Sequence, residues 1–172
     1  MVGEIDASRE FRVLVTGGRD YPDSQAVFSR LATCRQQAER NGLNFAVIHG
    51  DCPTGADHWA DLWCRREGID PRRYPAPWKR QGRGAGPRRN QRMLYAEQPD
   101  LVLAFPGNRG TADLVRRACA AGVLVAHLDA DLQPQVLRAL QGALEAEMIA
   151  DRVSSTTFDD EEGVTDACDF GR

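Results

Sequence analysis

Short apolar runs alternate with stretches of helical periodicity along the first three quarters of the chain. The runs are continuously apolar and end in Gly or Pro, which is typical of strands buried on both faces of a parallel sheet. The predicted strands are Phe11–Thr16, Phe45–Ile48, Ile69–Tyr74, Leu101–Phe105 and Val123–His127. The predicted helices run from about Pro22 to Arg40, Gly55 to Gly68, Pro87 to Glu97 and Thr111 to Gly122. This alternation predicts an α/β fold: a Rossmann-like, doubly wound, five-stranded parallel sheet with helices on both faces.

The pattern changes after the fifth strand. Residues 134–152 predict a C-terminal helix whose apolar stripe is suited either to packing on the domain or to a dimer contact. The stripe comprises Val136, Leu137, Leu140, Leu144 and Met148. Residues 153–172 are polar and acidic, so we expect a disordered tail. The expected organisation is an N-terminal extension (1–10), one domain (11–130), the helix (131–152) and the acidic tail.

Composition narrows the class of protein. The chain has 172 residues, of which 42% are hydrophobic and 27% charged, as expected for one globular domain with a real core. Five cysteines without a CxxC pair argue against a disulfide framework, and the spacing of Cys52, His58 and Cys64 lacks a fourth ligand for zinc. We therefore predict no metal and no cofactor. The chain shows no signal peptide and no membrane span, so we expect a cytoplasmic protein without a membrane partner.

Charge is polarised along the chain although the net charge is only −3. Residues 71–91 carry seven basic side chains and no acidic one, whereas residues 159–169 carry six acidic side chains. The basic stretch makes nucleic acid a possible partner. A weaker hypothesis is that the acidic tail folds over the basic edge and competes with an anionic ligand.

Three turns that contain Gly follow predicted strands one, two and four. They are Gly17–Tyr21, His49–Asp57 and Pro106–Gly110. The carboxyl ends of parallel strands meet at one edge of the sheet, where ligands of such folds bind. Glycines let backbone N–H groups approach a ligand, and the first turn of the following helix favours an anion. Thr111, at the predicted helix start, can cap the helix or donate to a phosphate oxygen. The edge is therefore predicted to hold the phosphate or ribose of a nucleotide.

Four separate motifs resemble one known family. They are VTGGRDY at Val15–Tyr21, HG with TGAD across His49–Asp57, AGPRRNQRML at Ala85–Leu94 and FPGNRGTAD at Phe105–Asp113. Together they resemble the YspA (YpsA-related) family of the SLOG superfamily, over about residues 11–127. The resemblance implies a Rossmann-like fold that binds nucleotides or nucleotide-derived ligands, often in phages and prophages. Better known relatives are the "lonely guy" phosphoribohydrolases and DNA-processing protein A, which binds single-stranded DNA.

The phosphoribohydrolases share a Pro-Gly-Gly-x-Gly-Thr-x-x-Glu signature, which this chain matches in part. The matching residues are Pro106, Gly107, Gly110 and Thr111. Asn108 replaces the second Gly, and Leu114 stands at the position of the catalytic Glu. Asp113 lies one residue earlier, about 100° away around a helix. Arg89 stands four residues before Met93, as in the hydrolases, where the Arg would bind phosphate or ribose.

Cleavage of an N-glycosidic bond passes through an oxocarbenium-like state that a nearby carboxylate stabilises. The predicted catalytic residues are therefore Asp113 and Arg89, with Asp57 and then Asp51 as further candidate carboxylates. The predicted ligand-binding residues are Gly17, Gly18, Arg19, Gly50, Thr54, Gly55, Asp57, Asn90, Pro106, Gly107, Asn108, Gly110 and Thr111. Arg88 and Arg92 share one face of their helix, so we expect Arg89 and Asn90 to face the ligand. Trp78 either stacks on a base or packs in its loop.

Two functions remain open on the sequence. The first is binding of a nucleotide-type small molecule, as a sensor, a sequestering protein or an N-glycosidic-bond hydrolase of nucleoside monophosphates. The alternative is a single-stranded nucleic-acid-binding module. A homo-oligomer is expected in either case, with a dimer the most plausible form.

Overall fold

A computed structural model describes residues 10–128 and 132–155. The strands are β1 (Glu10–Thr16), β2 (Asn44–His49), β3 (Arg72–Arg73), β4 (Leu101–Ala104) and β5 (Leu124–His127). The helices are α1 (Ser24–Arg40), α2 (Gly55–Glu67), α3 (Trp78–Gln81), α4 (Ala85–Glu97), α5 (Arg109–Ala120) and α6 (Leu132–Ser155). Residues 1–9 of the predicted N-terminal extension and residues 156–172 of the predicted acidic tail lie outside the described residues, whereas Glu10 is the first residue of β1.

All strand pairs are parallel, and the sheet order is β3-β2-β1-β4-β5. The chain therefore leaves β1 in one direction to build β2 and β3, then returns to the other side of β1 to add β4 and β5. Strand order reverses between β1 and β4, so the carboxyl ends of these two strands mark the switch point at which such sheets bind ligands. The predicted α/β, Rossmann-like class is confirmed.

Both faces of the sheet are covered, which explains the continuous apolar runs. Val13 and Val15 of β1 are buried on one face, in a cluster that includes residues of α1, α2 and α6. Leu14 of the same strand is buried on the other face with residues of α4 and α5. Successive side chains of a strand point to opposite faces, so a strand between two helical layers needs no polar position.

The third strand and the loop after it differ from the prediction. β3 has only two residues, which pair with Ile48 and His49 at the edge of the sheet. The segment predicted as a loop, 75–86, contains α3 and a 3-10 turn at Gly82–Gly84. Helix α4 begins at Ala85, two residues before Pro87, because Ala85 is fully buried and Pro is tolerated in a first helical turn.

Helix α5 begins two residues before the predicted start at Thr111. The side chain of Asn108 caps it, since Asn108 Oδ1 accepts a hydrogen bond from the Gly110 N–H at 3.2 Å. Thr111 therefore lies in the first turn of α5 and does not cap the helix. Of the two roles predicted for it, donation to a phosphate oxygen stays a prediction.

Helix α6 packs on the domain through part of its predicted stripe. Val136 and Leu140 are buried in the cluster that also contains α1, and Leu144 packs against that cluster, whereas Leu137 is exposed. The side chain of Met148 lies outside the described residues. The helix continues to Ser155, past the predicted start of the tail at 153. Among the described residues, no helix has the length and apolar character needed to cross a membrane.

Candidate functional site

A cleft of about 600 Å³ opens at the carboxyl edge of the sheet, above β1, β2 and β4. Its walls come from the loops after these three strands and from α4. Its volume lies in the range of small-ligand sites. Ten of the residues predicted for the site line this cleft: Gly17, Arg19, Gly50, Asp57, Arg89, Asn90, Asn108, Gly110, Thr111 and Asp113. The structure thus brings together both predicted catalytic residues and most of the predicted ligand contacts, while their roles remain predictions.

The other predicted ligand contacts do not line the cleft. They are Gly18, Thr54, Gly55, Pro106 and Gly107. Gly18 joins the three loops, because its N–H donates to the Pro106 carbonyl at 2.9 Å and its carbonyl accepts from the Ala56 N–H at 3.3 Å. A Cβ at Gly55, where φ is +72°, would lie 1.9 Å from the Gly18 carbonyl oxygen. These glycines allow close contact between the loops, and this contact holds together the loops that form the walls of the cleft.

Gly107→Ala is expected to lower the free energy of unfolding. The new Cβ would lie 2.7 Å from the Gly18 backbone nitrogen and 2.1 Å from Thr111 Oγ1, so the two loops must separate. Overpacking of this kind costs about 1–3 kcal/mol. Urea unfolding followed by circular dichroism measures the change, and an unaltered midpoint would show that the loops are not held by this contact.

Arg89 spans the cleft from α4. Its Nη1 donates to the carbonyl of Tyr74 at 3.1 Å and to the carbonyl of Gly50, and its Nε donates to Asn90 Oδ1 at 3.0 Å. Burial lowers the pKa of Arg89 from its usual value, against the opposing effect of the nearby Asp57 carboxylate. The guanidinium nevertheless stays charged, since arginine is not deprotonated in proteins. Arg89 therefore offers a fixed positive charge in a largely buried position.

Asp57 lies in the first turn of α2 and lines the cleft although it is buried. Its Oδ2 accepts a hydrogen bond from the Cys52 N–H at 3.3 Å. Burial raises the pKa of Asp57 to about 6, and the charge of Arg89 and the hydrogen bonds from Cys52 and Gly50 offset only part of that rise. A carboxyl group that titrates near neutral pH inside a cleft is suited to acid–base work.

The surroundings of Asp113 change its pKa in the opposite direction from those of Asp57. Its carboxylate accepts hydrogen bonds from Arg117 at 2.9 Å, from Arg116 at 2.8 Å and from Asn90 Nδ2 at 3.2 Å. Burial raises its pKa, but the hydrogen bonds from Arg117 and Asn90 and the charge of Arg117 outweigh that effect and lower it overall. Asp113 is therefore held as an ionised carboxylate, while Leu114, at the position of the hydrolase Glu, is buried in the core.

Asn90 connects these groups. The side chain is buried, and its Nδ2 also donates to the Gly110 carbonyl at 3.2 Å, so one amide links α4 to the start of α5. Arg88 and Arg92 are exposed on the other side of α4. Arg89 and Asn90 thus line the cleft, and their contact with a ligand stays a prediction.

Trp78 of α3 closes one side of the cleft. Its ring lies 5.3 Å from the Arg19 guanidinium carbon and is 46% exposed. The ring is also close to Gly86, where an added Cβ would lie 3.1 Å from it. Trp78 thus packs against its neighbours and still presents an aromatic surface to the cleft.

Sequence reasoning missed several residues that line the cleft, among them Cys52, Arg83 and Arg109. Asp51, kept outside the main set, also lines it and has the left-handed φ of 55° that is uncommon for a residue other than Gly. Its backbone N–H donates to Nδ1 of the buried His49 at 3.1 Å, which holds the turn. The position of Asp51, two residues after the end of β2, was the available signal. Within residues 10–128 and 132–155, no cluster of His, Cys, Asp and Glu side chains is suited to hold a metal ion.

The strands and turns of the first half of this site match a known family. Residues 11–81 match the model of the YspA, cpYpsA-related SLOG family. The resemblance inferred from the sequence motifs is thereby confirmed. The SLOG match includes the first two Gly turns, and the remaining walls of the cleft, α4 and the start of α5, lie beyond it.

Several solved structures of other proteins are similar to this chain at low sequence identity. The Moco carrier protein from Chlamydomonas reinhardtii is 16% identical, with a TM-score of 0.48 over 80% of this chain and 99% of that chain. The S. aureus MnaA–UDP structure is 15% identical, with a TM-score of 0.43 over 69% of this chain and 28% of that chain. A UDP-N-acetylglucosamine 2-epimerase is 17% identical, with a TM-score of 0.45 over 69% and 33%. The chain spans about a third of the length of the last two, and comparison with curated proteins gave no significant match.

Proposed function

We propose that the protein binds a nucleotide or nucleotide-derived ligand in the cleft above β1, β2 and β4. The observation that carries this proposal is the convergence of four arginines on one cleft at the switch point of the sheet. They are Arg19, Arg83, Arg89 and Arg109. Within the described part of the chain, none of the four forms an ion pair with a carboxylate within 4 Å. A phosphate supplies the charge that this set lacks.

The first turn of α5 supports a phosphate in the same place. The backbone N–H groups at a helix start have no partner within the helix, and the helix dipole favours an anion there. Gly110 and Thr111 belong to this turn and line the cleft, so Thr111 Oγ1 can donate to a phosphate oxygen. The exposed ring of Trp78, already stacked by Arg19, is the group best suited to hold a base.

Of the two functions, we propose that the protein binds its ligand as a sensor or sequestering protein and does not hydrolyse it. Leu114 occupies the position of the hydrolase Glu, and its side chain is buried in the core. This position therefore does not present a side chain to the cleft. A hydrolase would instead need Asp113 or Asp57 to reach the anomeric carbon. Asp113 is already held by three donors, which leaves Asp57 as the carboxyl group freer to change its protonation state.

Native mass spectrometry of the purified protein tests the proposal directly. A nucleotide-type molecule released on denaturation is the expected result, and the same spectrum gives the oligomeric state. Calorimetry with adenosine 5′-monophosphate, uridine 5′-monophosphate and ADP-ribose follows. Absence of both a co-purified nucleotide and any binding heat would refute the proposal. If the wild-type protein released free base and Asp57→Asn or Asp113→Asn did not, the protein would be a hydrolase and not only a binding protein.

Single-stranded nucleic acid is the second candidate, because exposed basic residues surround α3 and the first half of α4. They are Lys79, Arg80, Arg83 and Arg88. This reading predicts oligonucleotide binding that weakens steeply as salt rises. Titration of a labelled oligothymidine at salt concentrations from 50 to 200 mM measures this dependence. The small-ligand proposal differs from this one because it does not require affinity to increase with strand length.

A further inference from the structure

A second cleft of about 480 Å³ lies beside the first, between β3 and α4. The two clefts share Arg89 and Pro75 in their walls. Arg89 also joins them through hydrogen bonds, since Nη1 binds the Gly50 carbonyl of the main cleft and the Tyr74 carbonyl of the second. A ligand that extends past Arg89 would therefore enter the second cleft without leaving the protein surface.

The second cleft carries more positive charge than its own carboxylates balance. Arg72 is paired with Glu97 at 2.7 Å and with Glu10 at 2.8 Å, and Arg73 is paired with Asp61 at 2.6 Å. Apart from Arg89, which the two clefts share, the remaining arginines of its wall are Arg88 and Arg92, and neither has such a partner. In the described part of the chain no carboxylate lies within 4 Å of either.

Arg88 and Arg92 stand four residues apart on one face of α4, an arrangement of like charges that destabilises a helix. Arg92 lies 5.7 Å from the ring of Tyr74, which orients its guanidinium along the wall of the cleft. An anion between the two side chains would remove the repulsion and form charge-assisted hydrogen bonds with both. The carboxylate of Glu97 cannot do so, because Arg72 and the Tyr74 hydroxyl already bind it.

We infer that the second cleft is a subsite for a further phosphate of the ligand that occupies the main cleft. The inference rests on the proposed function and narrows it. The two phosphate groups then lie on either side of Arg89, which suits the spaced phosphates of a dinucleotide and not the single phosphate of a mononucleotide. Arg89 lies between the two phosphates, where its fixed charge faces both.

Calorimetry with two probes tests the subsite. The probes are adenosine 5′-monophosphate and the linear dinucleotide pApA, which carries a second phosphate. We expect the wild-type protein to bind pApA at least about tenfold more tightly, since one charge-assisted contact is worth that much. The double variant Arg88→Gln/Arg92→Gln should lose this advantage and bind the mononucleotide as before. The matched control is Arg40→Gln/Arg138→Gln, which removes the same charge from exposed residues that line neither cleft.

Each other outcome overturns the inference in a distinguishable way. Equal affinities of the wild-type protein for the two probes would remove the subsite and leave the proposed function intact. An unchanged preference for pApA in the double variant would do the same. Affinity that rises only with longer oligothymidine, and falls in the double variant, would replace the subsite by a nucleic-acid surface. Binding of neither probe would remove the proposed function together with the inference. Thermal unfolding of both double variants checks that the fold is intact.

Discussion

Asp57→Asn is expected to make the protein more stable at pH 7.5, by as much as about 3 kcal/mol. Burial raises the pKa of Asp57 to about 6 in the folded protein, whereas an unfolded chain returns it to about 3.9. Between these values the folded state binds the additional proton, so stability of the wild-type protein falls as pH rises from about 4 to about 6. One unit of pKa corresponds to about 1.4 kcal/mol. The amide removes the cost of burying a charge and can still accept from the Cys52 N–H.

Urea unfolding at pH 4, 5, 6 and 7.5 measures this effect. The stability difference between Asp57→Asn and wild type should be small at pH 4 and should grow to its full value by pH 7.5. Asp113→Asn is the matched control with the opposite sign, because the pKa of Asp113 is lowered and its ionised form is the one that the fold stabilises. That variant should lose stability at pH 7.5. An Asp57→Asn protein that is less stable than wild type at pH 7.5 would show that the buried charge is compensated.

Gly50→Ala is expected to weaken ligand binding strongly by displacing Arg89. Its Cβ would lie 1.7 Å from Nη1 and 2.3 Å from Cζ of Arg89. The guanidinium must therefore leave its place, and a long flexible side chain can do so while the sheet stays folded. We expect affinity for adenosine 5′-monophosphate to fall about 10- to 100-fold, the value of a lost charge-assisted contact. Arg89→Gln should give a loss of the same size.

Gly142→Ala is the control for the added methyl group. It lies in α6, where a new Cβ meets nothing within 4 Å, so binding should be unchanged and helix stability slightly higher. The double variant Gly50→Ala/Arg89→Gln decides whether the two changes act through the same group. A double variant no weaker than either single one supports the displacement of Arg89, whereas additive losses would show that Gly50 contributes by itself.

Four of the five strands were predictable because each contains a short, continuous apolar run, which in the central strands reflects burial on both faces. β3 was predicted too long, since an edge strand of Arg72 and Arg73 gains little burial and has no hydrophobic pattern to mark its ends. The start of α5 was placed at Thr111 because both Asn108 and Thr111 are capping residues. The choice between them depends on the hydrogen bond from Gly110, which only the folded turn shows.

The location of the cleft was predictable, whereas the state of its carboxylates was not. Parallel strands end at one edge, so three Gly turns after three strands had to meet there. Asp57 was predicted to bind the ligand, but its burial was not predictable, since it follows from close packing of Gly17 on Ala56, where an added Cβ would be 2.5 Å away. The link between Asn90 and Asp113 joins two helices and leaves no trace in local periodicity. Such tertiary contacts set the protonation states, and a sequence pattern does not contain them.

The hydrogen bonds that close the main cleft connect segments that are remote along the chain. Arg89 reaches Gly50 across 39 positions, and Gly18 on the loop after β1 binds Pro106 on the loop after β4. Contacts of large sequence separation require the closure of long loops, so they form late and slow the folding reaction. The cleft therefore exists only once the central strands have joined, and no single segment can retain it. A ligand that binds in this cleft binds only the completed sheet, and it therefore stabilises the native state by mass action.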